Sequence, residues 1–332
     1  MDVYNVRAHY SAGSGPPVKA VDDVSLSVSE GEVFGIVGES GCGKSTLAAV
    51  MSLTAGRNLT VASGEMALGD HRLPLTEQIR IPKGWRGIQV ALLPQRAMNS
   101  LNPTARIRDF IVDVVRSHNP SLRPHDAIRQ AQERLEQLSL PVRVLDSYPH
   151  QLSGGMRQRV VAVISTLLNP KVLIADEPTS ALDVSSQKQF IVLLQELLQR
   201  GFITRVVYIT HDLPMLSNIA DRIAVMYAGK IVETGTTSQV IESPQHPYTQ
   251  ALIASTLDID PQLRGRQIKG IPGAPPDLRY PPSGCRFHPR CSYVMDKCSR
   301  EAPPIVGDDS RFAACWWTLE QLEKTAVKET ER

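Results

Sequence analysis

Residues 33–46, Val-Phe-Gly-Ile-Val-Gly-Glu-Ser-Gly-Cys-Gly-Lys-Ser-Thr, restrict this chain more than any other stretch. The apolar run Val33 to Val37 predicts a strand, a glycine-rich turn follows, and Lys44-Ser45-Thr46 opens a helix. The pattern is G-x-x-x-x-G-K-[ST], a phosphate-binding loop. Gly38, Gly41 and Gly43 let the backbone curl so that successive N–H groups point at one anion. The helix behind them turns its positive end to the same point. Lys44 then reaches the β- and γ-phosphates of a nucleoside triphosphate and Ser45 ligates Mg²⁺, with Ser40, Cys42 and Thr46 in the same stretch. Cys42 reads as a small filler. A ligand-free glycine turn is the plain alternative, and the strand and helix on either side argue against it.

The 332 residues suffice for one large α/β domain with an appendage. Hydrophobic content of 42% and charged content of 21% belong to an ordinary globular chain. A formal net charge of +2 gives no special attraction to nucleic acid. Met-Asp-Val-Tyr at the start lacks the form of a signal peptide. Val160 to Leu168, the longest apolar stretch, is far short of a membrane span. The expectation is a cytosolic protein that leaves any membrane crossing to other subunits.

In chain order, residues 1–32 read as strands of a small antiparallel sheet, with Tyr10 just before a Ser-Ala-Gly-Ser-Gly-Pro-Pro loop. A lone strand aromatic is usually packing, although Tyr10 can stack on a purine. Strands and turns are expected up to Gly87, an apolar strand over Gly87 to Leu93, and a loop over Arg96 to Pro103 with Asn99, Ser100 and Asn102 as turn formers. From Thr104 to about Leu168 the pattern is helical; Ala127, Ile128, Ala131, Leu135 and Leu138 share one face. Val160 to Leu168 reads as a buried helix ended by Asn169-Pro170. Buried strands are expected at Val172 to Ala175 and Val206 to Thr210, a helix at Gln187 to Gln199, and a hairpin turning at Ala228-Gly229. This alternation implies a mainly parallel sheet with helices on its faces and ligands at the carboxyl ends of its strands. Gly38, Asp176 and His211 all fall there. Residues 270–305 are rich in Pro and Cys, and the charged tail from Glu320 reads as frayed.

Asp176 and Glu177 end an apolar strand downstream of the phosphate loop. The first can hold Mg²⁺, and the second can polarise the water that attacks a γ-phosphate. His211 and Gln95 also end strands, where His211 can hydrogen-bond a phosphate or the attacking water and Gln95 can ligand metal or water. Alone, each has a bland structural reading. Leu152-Ser153-Gly154-Gly155 before a helix is a second anion site. One phosphate loop and one such site, separated by a helical segment, invite a two-chain arrangement in which each nucleotide is sandwiched.

Together these residues resemble the ATP-binding subunits of ABC transporters over about residues 1–255. Gly38 to Ser45 is similar to the Walker A loop, Gln95 to the Q-loop, Leu152 to Gln158 to the signature and Leu173 to Glu177 to Walker B. Ser180 to Asp183 is similar to the D-loop, His211 to the switch histidine, and Tyr10 to the aromatic that stacks on adenine. The resemblance implies a P-loop NTPase with a RecA-like core, an antiparallel β subdomain and a helical subdomain at about 104–168. It implies Glu177 as general base, with His211 and Gln95 assisting. It also implies that Ser153, Gly154, Gly155 and Asp183 take part in nucleotide binding, the Ser153–Gly155 site acting on ATP held by a partner domain. Gly-Glu-Ser-Gly-Cys-Gly-Lys-Ser, Asn99 to Pro103, Leu-Ser-Gly-Gly-Met-Arg-Gln-Arg and Ser243 to Tyr248 resemble, more narrowly, the oligopeptide/dipeptide importer ATPases. That group implies a second, non-identical ATPase subunit, two transmembrane permease subunits, an extracytoplasmic solute-binding protein and a place at the cytoplasmic face of the membrane. Pro94 stands where an aromatic is common and Ala97 where Pro is common, a departure in the permease-docking loop that bears on the cargo.

Cys285, Cys291, Cys298 and Cys315 are separated by five, six and sixteen residues. Four thiolates can close around zinc or a 4Fe–4S cluster, and four free thiols are the bland alternative. Zinc ligands usually pair at closer spacing. By resemblance to the peptide-importer ATPases, whose C-terminal extension carries such cysteines, the set implies a 4Fe–4S cluster within an extension spanning 256–332. Its default role is a staple for a tail that cannot build its own core.

The leading expectation is thus an ATP-hydrolysing importer subunit for oligopeptides or dipeptides. Oligosaccharides, nickel or glutathione are the alternative cargoes. A soluble non-transport ABC ATPase is the second alternative, although such chains usually carry two cassettes or coiled-coil insertions. A P-loop kinase or GTPase leaves Leu152 to Gly155 unexplained.

Overall fold

Alternating side chains over the first 27 residues build one face of an antiparallel sheet. In the computed structural model, which describes residues 1–13, 15–76, 81–95, 97, 100–255 and 270–330, β1 (Asp2–Ala12) pairs with β2 (Gly15–Ser27). Val3, Val6, Ala8, Val21 and Val24 point inward and are buried. The chain then enters a second sheet through β3 (Val33–Val37), buried at every position, and turns into α1 (Lys44–Met51). Such an unbroken apolar run suits a strand covered on both faces, where each buried Val or Ile contributes about 1.5–3 kcal/mol. It returns to the first sheet with β4 (Leu59–Leu68) and β5 (His71–Pro74), giving the order β2-β1-β4-β5.

The strand expected over Gly87 to Leu93 is shorter than its apolar run. Gly84 and Gly87 take φ of 91° and 83°, so Trp85–Gln89 forms a wide turn and only β6 (Val90–Leu93) is extended. Arg86 fastens that turn by donating from Nε to the Leu53 carbonyl (2.8 Å). Of the loop expected next, Arg96 and Asn99 lie outside the described residues; Asn102 makes a turn in which its carboxamide oxygen accepts from the backbone and hydroxyl of Thr104.

The helical segment contains α2 (Ile107–His118), α3 (Pro124–Gln137) and α4 (Gly154–Ser165). Ile107, Ile111 and Val115 are buried on α2 at helical spacing. Ala127, Ala131, Leu135 and Leu138 are buried as their shared face predicts, with Ile128 partly so. Arg134 is buried among them; its guanidinium donates to the Thr166 carbonyl and to Asn169 Oδ1, and stacks on Phe202. α4 stops at Ser165, three residues before the apolar run ends, where the Thr166 hydroxyl donates back to the carbonyls of Ala162 and Val163.

Next come β7 (Val172–Asp176), α5 (Val184–Gln199), β8 (Arg205–Thr210), α6 (Leu213–Ser217), β9 (Arg222–Tyr227), β10 (Lys230–Thr236), α7 (Thr237–Glu242) and α8 (Pro247–Ala254). α5 starts three residues before the expected Gln187 because Asp183 caps it. The β9–β10 hairpin turns at Ala228-Gly229 as predicted, with φ of 47° and 85°. The C-terminal part adds β11 (Ile305–Gly307), β12 (Phe312–Ala314) and α9 (Trp316–Thr330). The tail from Glu320 is therefore helical as far as Thr330, not frayed; a Lys324–Glu320 ion pair one turn apart (2.7 Å) adds to it.

The large sheet runs β11-β12-β10-β9-β3-β8-β7-β6. β9, β3, β8, β7 and β6 are parallel neighbours, and β10, β12 and β11 continue the sheet antiparallel. One apolar core lies between this sheet and its helices, and the other between it and the small sheet around α1.

Candidate active site

The phosphate loop leaves the carboxyl end of β3 under close packing. A Cβ on Gly38 would stand 2.1 Å from the Met226 carbonyl oxygen, and one on Gly43 would stand 1.9 Å from that of Ala20. Gly41 and Gly43 hold φ of 79° and 110°. Only glycine fits this backbone. Lys44 folds over the loop and donates from Nζ to the carbonyls of Gly38 (2.6 Å) and Glu39 (2.9 Å). Cys42 is the buried filler expected of it; burial pushes its thiol up, with nearby Lys44 pulling the other way.

Ser45 donates to Asp176 Oδ1 (3.2 Å) from the first turn of α1. Burial pushes the Asp176 carboxyl up, and the Ser45 hydroxyl offsets part of that rise. Hydroxyl and carboxylate oxygens side by side are the hard donors that Mg²⁺ takes, and the Gln95 carboxamide stands at the wall of the same cleft. These residues fit the ion.

Three strand ends converge on one carboxylate. Glu177, directly after β7, has φ 44° and donates its N–H to the Ile209 carbonyl (2.8 Å). Its Oε2 accepts from Gln95 Nε2 (2.7 Å), beyond β6, and its Oε1 lies 3.1 Å from His211 Nδ1, beyond β8. Gln95, Glu177 and His211 are thus one hydrogen-bonded group. Such a carboxylate, oriented from both sides, is placed to accept a proton from water.

A cleft of about 290 Å³ joins these parts. It gathers Tyr10, Ser40, Gly41, Gly43 through Thr46, Gln95 and Glu177. Tyr10 is 3.3 Å from the Thr46 hydroxyl through its own. Sequence reasoning missed three wall residues, Val18, Ala20 and Leu278. The first two sit in a readable strand, but no local signal ties Leu278 to a loop more than two hundred residues earlier.

The other predicted binding residues are elsewhere. Ser153 is the N-cap of α4, its hydroxyl accepting from Met156 N (3.3 Å), and Ser153 and Gly154 are exposed. A Cβ on Gly155 would meet Ser186 Oγ at 2.6 Å, so the signature turn lies against the first turn of α5. Asp183 caps α5, accepting from Ser186 N (2.9 Å) and Ser186 Oγ (2.8 Å); those bonds hold its carboxyl low. None of Ser153, Gly154, Gly155 or Asp183 lines the cleft that holds Lys44. Within one chain the two anion sites are separate.

None of the four C-terminal cysteines forms a disulfide with another described residue. Burial pushes the Cys285 thiol up to about 12, with Cys315, Cys298 and Cys291 adding to the rise. Burial likewise pushes Cys291 to about 11, with Cys315 and Cys298 contributing. The thiols are therefore within electrostatic range of one another, and Cys285 N donates to the Cys298 carbonyl (2.8 Å). Yet among the described residues no group of three or more His, Cys, Asp or Glu side chains is close enough to hold a metal ion. The expected cluster site is gathered but not assembled as a ligand cage. Among the described residues no helix is long and apolar enough to cross a membrane.

The cassette fold, the phosphate loop and the separate signature turn define an ABC-type ATPase. Residues 21–180 match the family described as "ABC transporter", and residues 232–298 match "Oligopeptide/dipeptide transporter, C-terminal region". The chain is 42% identical over 316 residues to the dipeptide transport ATP-binding protein DppD of Caldanaerobacter subterraneus subsp. tengcongensis, covering 94% of this chain and 95% of that one. It is 40% identical over 307 residues to the oligopeptide transport ATP-binding protein OppD of Bacillus subtilis, covering 91% and 84% respectively. A solved dimeric bacterial ABC transporter cassette superposes with a TM-score of 0.60 at 25% identity, covering 71% of this chain and 99% of that one. The chain belongs to the family of ATP-binding proteins of dipeptide and oligopeptide ABC transporters, and it is an ATP hydrolase of that type.

Proposed function

We propose that this chain is the ATP-hydrolysing subunit of an ABC importer for dipeptides or oligopeptides. The observation that carries the reading is the Gln95–Glu177–His211 group, of which Gln95 and Glu177 line one cleft with Lys44 and Ser45. Tyr10 stacks on the adenine, while the N–H groups from Ser40 to Thr46 and the Lys44 ammonium hold the phosphates. Ser45, Asp176 and Gln95 would hold Mg²⁺, which would supply positive charge to offset that developing on the transferred phosphoryl group. Glu177 accepts the proton of the attacking water; His211 and Gln95 fix its orientation. The exposed Ser153–Gly155 turn, with Asp183 behind it, faces ATP bound to a second, non-identical ATPase subunit. Two permease subunits and an extracytoplasmic binding protein complete the complex, with this chain on the cytoplasmic face. Residues 1–255 form the nucleotide-binding domain, with its helical subdomain at about 104–168, and 256–332 form the extension.

Glu177→Gln keeps the shape and both neighbours but cannot take a proton. ATP turnover in the assembled importer is expected to fall by about 10²–10⁴-fold, while the ATP dissociation constant stays within about twofold. A fully active variant removes Glu177 from the role of base. Stimulation of ATPase by peptide-loaded binding protein, compared with sugar-, nickel- or glutathione-loaded protein, tests the cargo.

We propose further that Cys285, Cys291, Cys298 and Cys315 hold a 4Fe–4S cluster, with zinc as the alternative. The place of all four in one C-terminal extension, where the Cys285 N–H donates to the Cys298 carbonyl (2.8 Å), supports this. Iron, acid-labile sulfide and zinc assays on anaerobically purified protein decide it. Protein free of all three would end the proposal.

A further inference from the structure

The phosphate loop has a contact that its own motif does not explain. Glu39, directly after Gly38, accepts both terminal nitrogens of the Arg290 guanidinium at 2.7 and 3.0 Å. The Arg290 side chain is only 6% exposed and that of Glu39 20%. The arginine is held in turn: its Nε donates to the Pro272 carbonyl (2.7 Å) of the C-terminal part, and its Nη1 is 3.3 Å from the Tyr227 hydroxyl at the end of β9. The backbone of Glu39 is fixed as well, since its N–H donates to the Tyr248 hydroxyl (2.9 Å) while its carbonyl accepts from Lys44 Nζ (2.9 Å). A continuous chain of contacts therefore runs from Arg290 through Glu39 to the ammonium that binds phosphate.

Two neighbouring contacts bear on the same cleft. The Lys19 N–H donates to the carbonyl of Leu278 (3.0 Å), which lines the cleft with Tyr10. Arg286 donates to the Ala228 carbonyl and pairs with Asp22; the adjoining Gly229 N–H donates to the Cys42 carbonyl in the phosphate loop (2.8 Å). The C-terminal part thus supplies one wall residue of the cleft and, through the β9–β10 turn, braces the backbone of the phosphate loop.

We propose that Arg290 is a positioning residue for ATP binding: through its bidentate pair with Glu39 it holds the phosphate loop and Lys44 in binding geometry. The inference rests on the reading of this cleft as the nucleotide site. A bidentate guanidinium–carboxylate pair fixes direction as well as distance, which a lysine cannot reproduce. A freed Glu39 also leaves an uncompensated carboxylate beside the incoming phosphates.

The test is equilibrium binding of a fluorescent ATP analogue to the purified full chain, with steady-state ATPase kinetics in the assembled importer. Arg290→Ala and Glu39→Gln are each expected to weaken ATP binding about tenfold. KM should rise by a similar factor while kcat changes less than about twofold. Arg290→Lys should recover part of the loss, and the double variant should bind no more weakly than either single one, because all remove one interaction. A purely structural role would instead lower the melting temperature and the active fraction without this KM shift. Should Arg290→Ala fail to fold, Glu39→Gln and Arg290→Lys carry the test. Folded variants with the parent's affinity and KM, or losses that multiply in the double variant, overturn the inference. Lys44→Ala separates the levels: if it binds ATP like the parent, the nucleotide-site reading itself fails.

Discussion

Glu177 shows how much one backbone angle decides. A non-glycine residue at φ 44° is strained, and such strain of about 1–3 kcal/mol concentrates at functional sites. Here it turns the carboxylate out of the strand direction, between Gln95 and His211. His246 presents the opposite situation, a titratable group spent on structure. It caps α8, its Nδ1 accepts from Tyr248 N (3.0 Å), and burial pushes it down to about 3. The folded state therefore excludes a proton that the unfolded chain takes up below about pH 6.5. The stability tied to this group is full above that value and is lost as pH falls towards 3, by up to about 1.4 kcal/mol per pH unit. Glu233, which accepts from His246 N, is pushed up by its own burial and acts in the other direction. His246→Asn keeps a capping acceptor without a titration. Between about pH 7 and about pH 4 its urea midpoint should fall less than the parent's; parallel curves would refute the assignment.

At the scale of elements, the strands and helices that carry chemistry were legible because their signals are local. β3, the glycine loop and α1 adjoin in sequence, and β7 and β8 are short apolar runs ending in Asp176 and just before His211. The hairpin at Ala228-Gly229 was readable because the turn residues lie between two apolar runs. Trp85–Gln89 misled because apolar content outweighed two glycines whose left-handed φ values break the strand. β11 and β12 have three residues each, too few for any periodicity, and become strands only by pairing beside β10. The helical tail was obscured by its charge, which suits an exposed helix face as well as a frayed end. Of the site, the motif residues that line the cleft are legible, but the sequence does not show that Asp183 serves its own helix, that Leu278 lines the cleft or that Arg290 reaches Glu39. Those contacts are long-range and leave no periodic trace.

Over the whole molecule, the C-terminal part is built into the sheet and core that hold the phosphate loop. β12 pairs with β10, and Phe287 packs with Tyr227 and Tyr248, the latter hydrogen-bonded to Glu39. A chain ending at Ser255 leaves β10 as an open sheet edge and removes Phe287 and Arg290. Its melting temperature is expected to drop by several degrees or more, with aggregation and weakened ATP binding in the same preparation. A truncated chain that melts and binds ATP like the parent would show the two parts to be independent. The Arg290–Glu39 pair also has a consequence in time. The two residues are 251 apart in sequence, and a ribosome adds about 5–20 residues per second. Roughly 12–50 s of synthesis therefore pass between the loop and the arginine that holds it. During that interval the nascent polypeptide displays a phosphate loop whose Glu39 has no guanidinium to pair with.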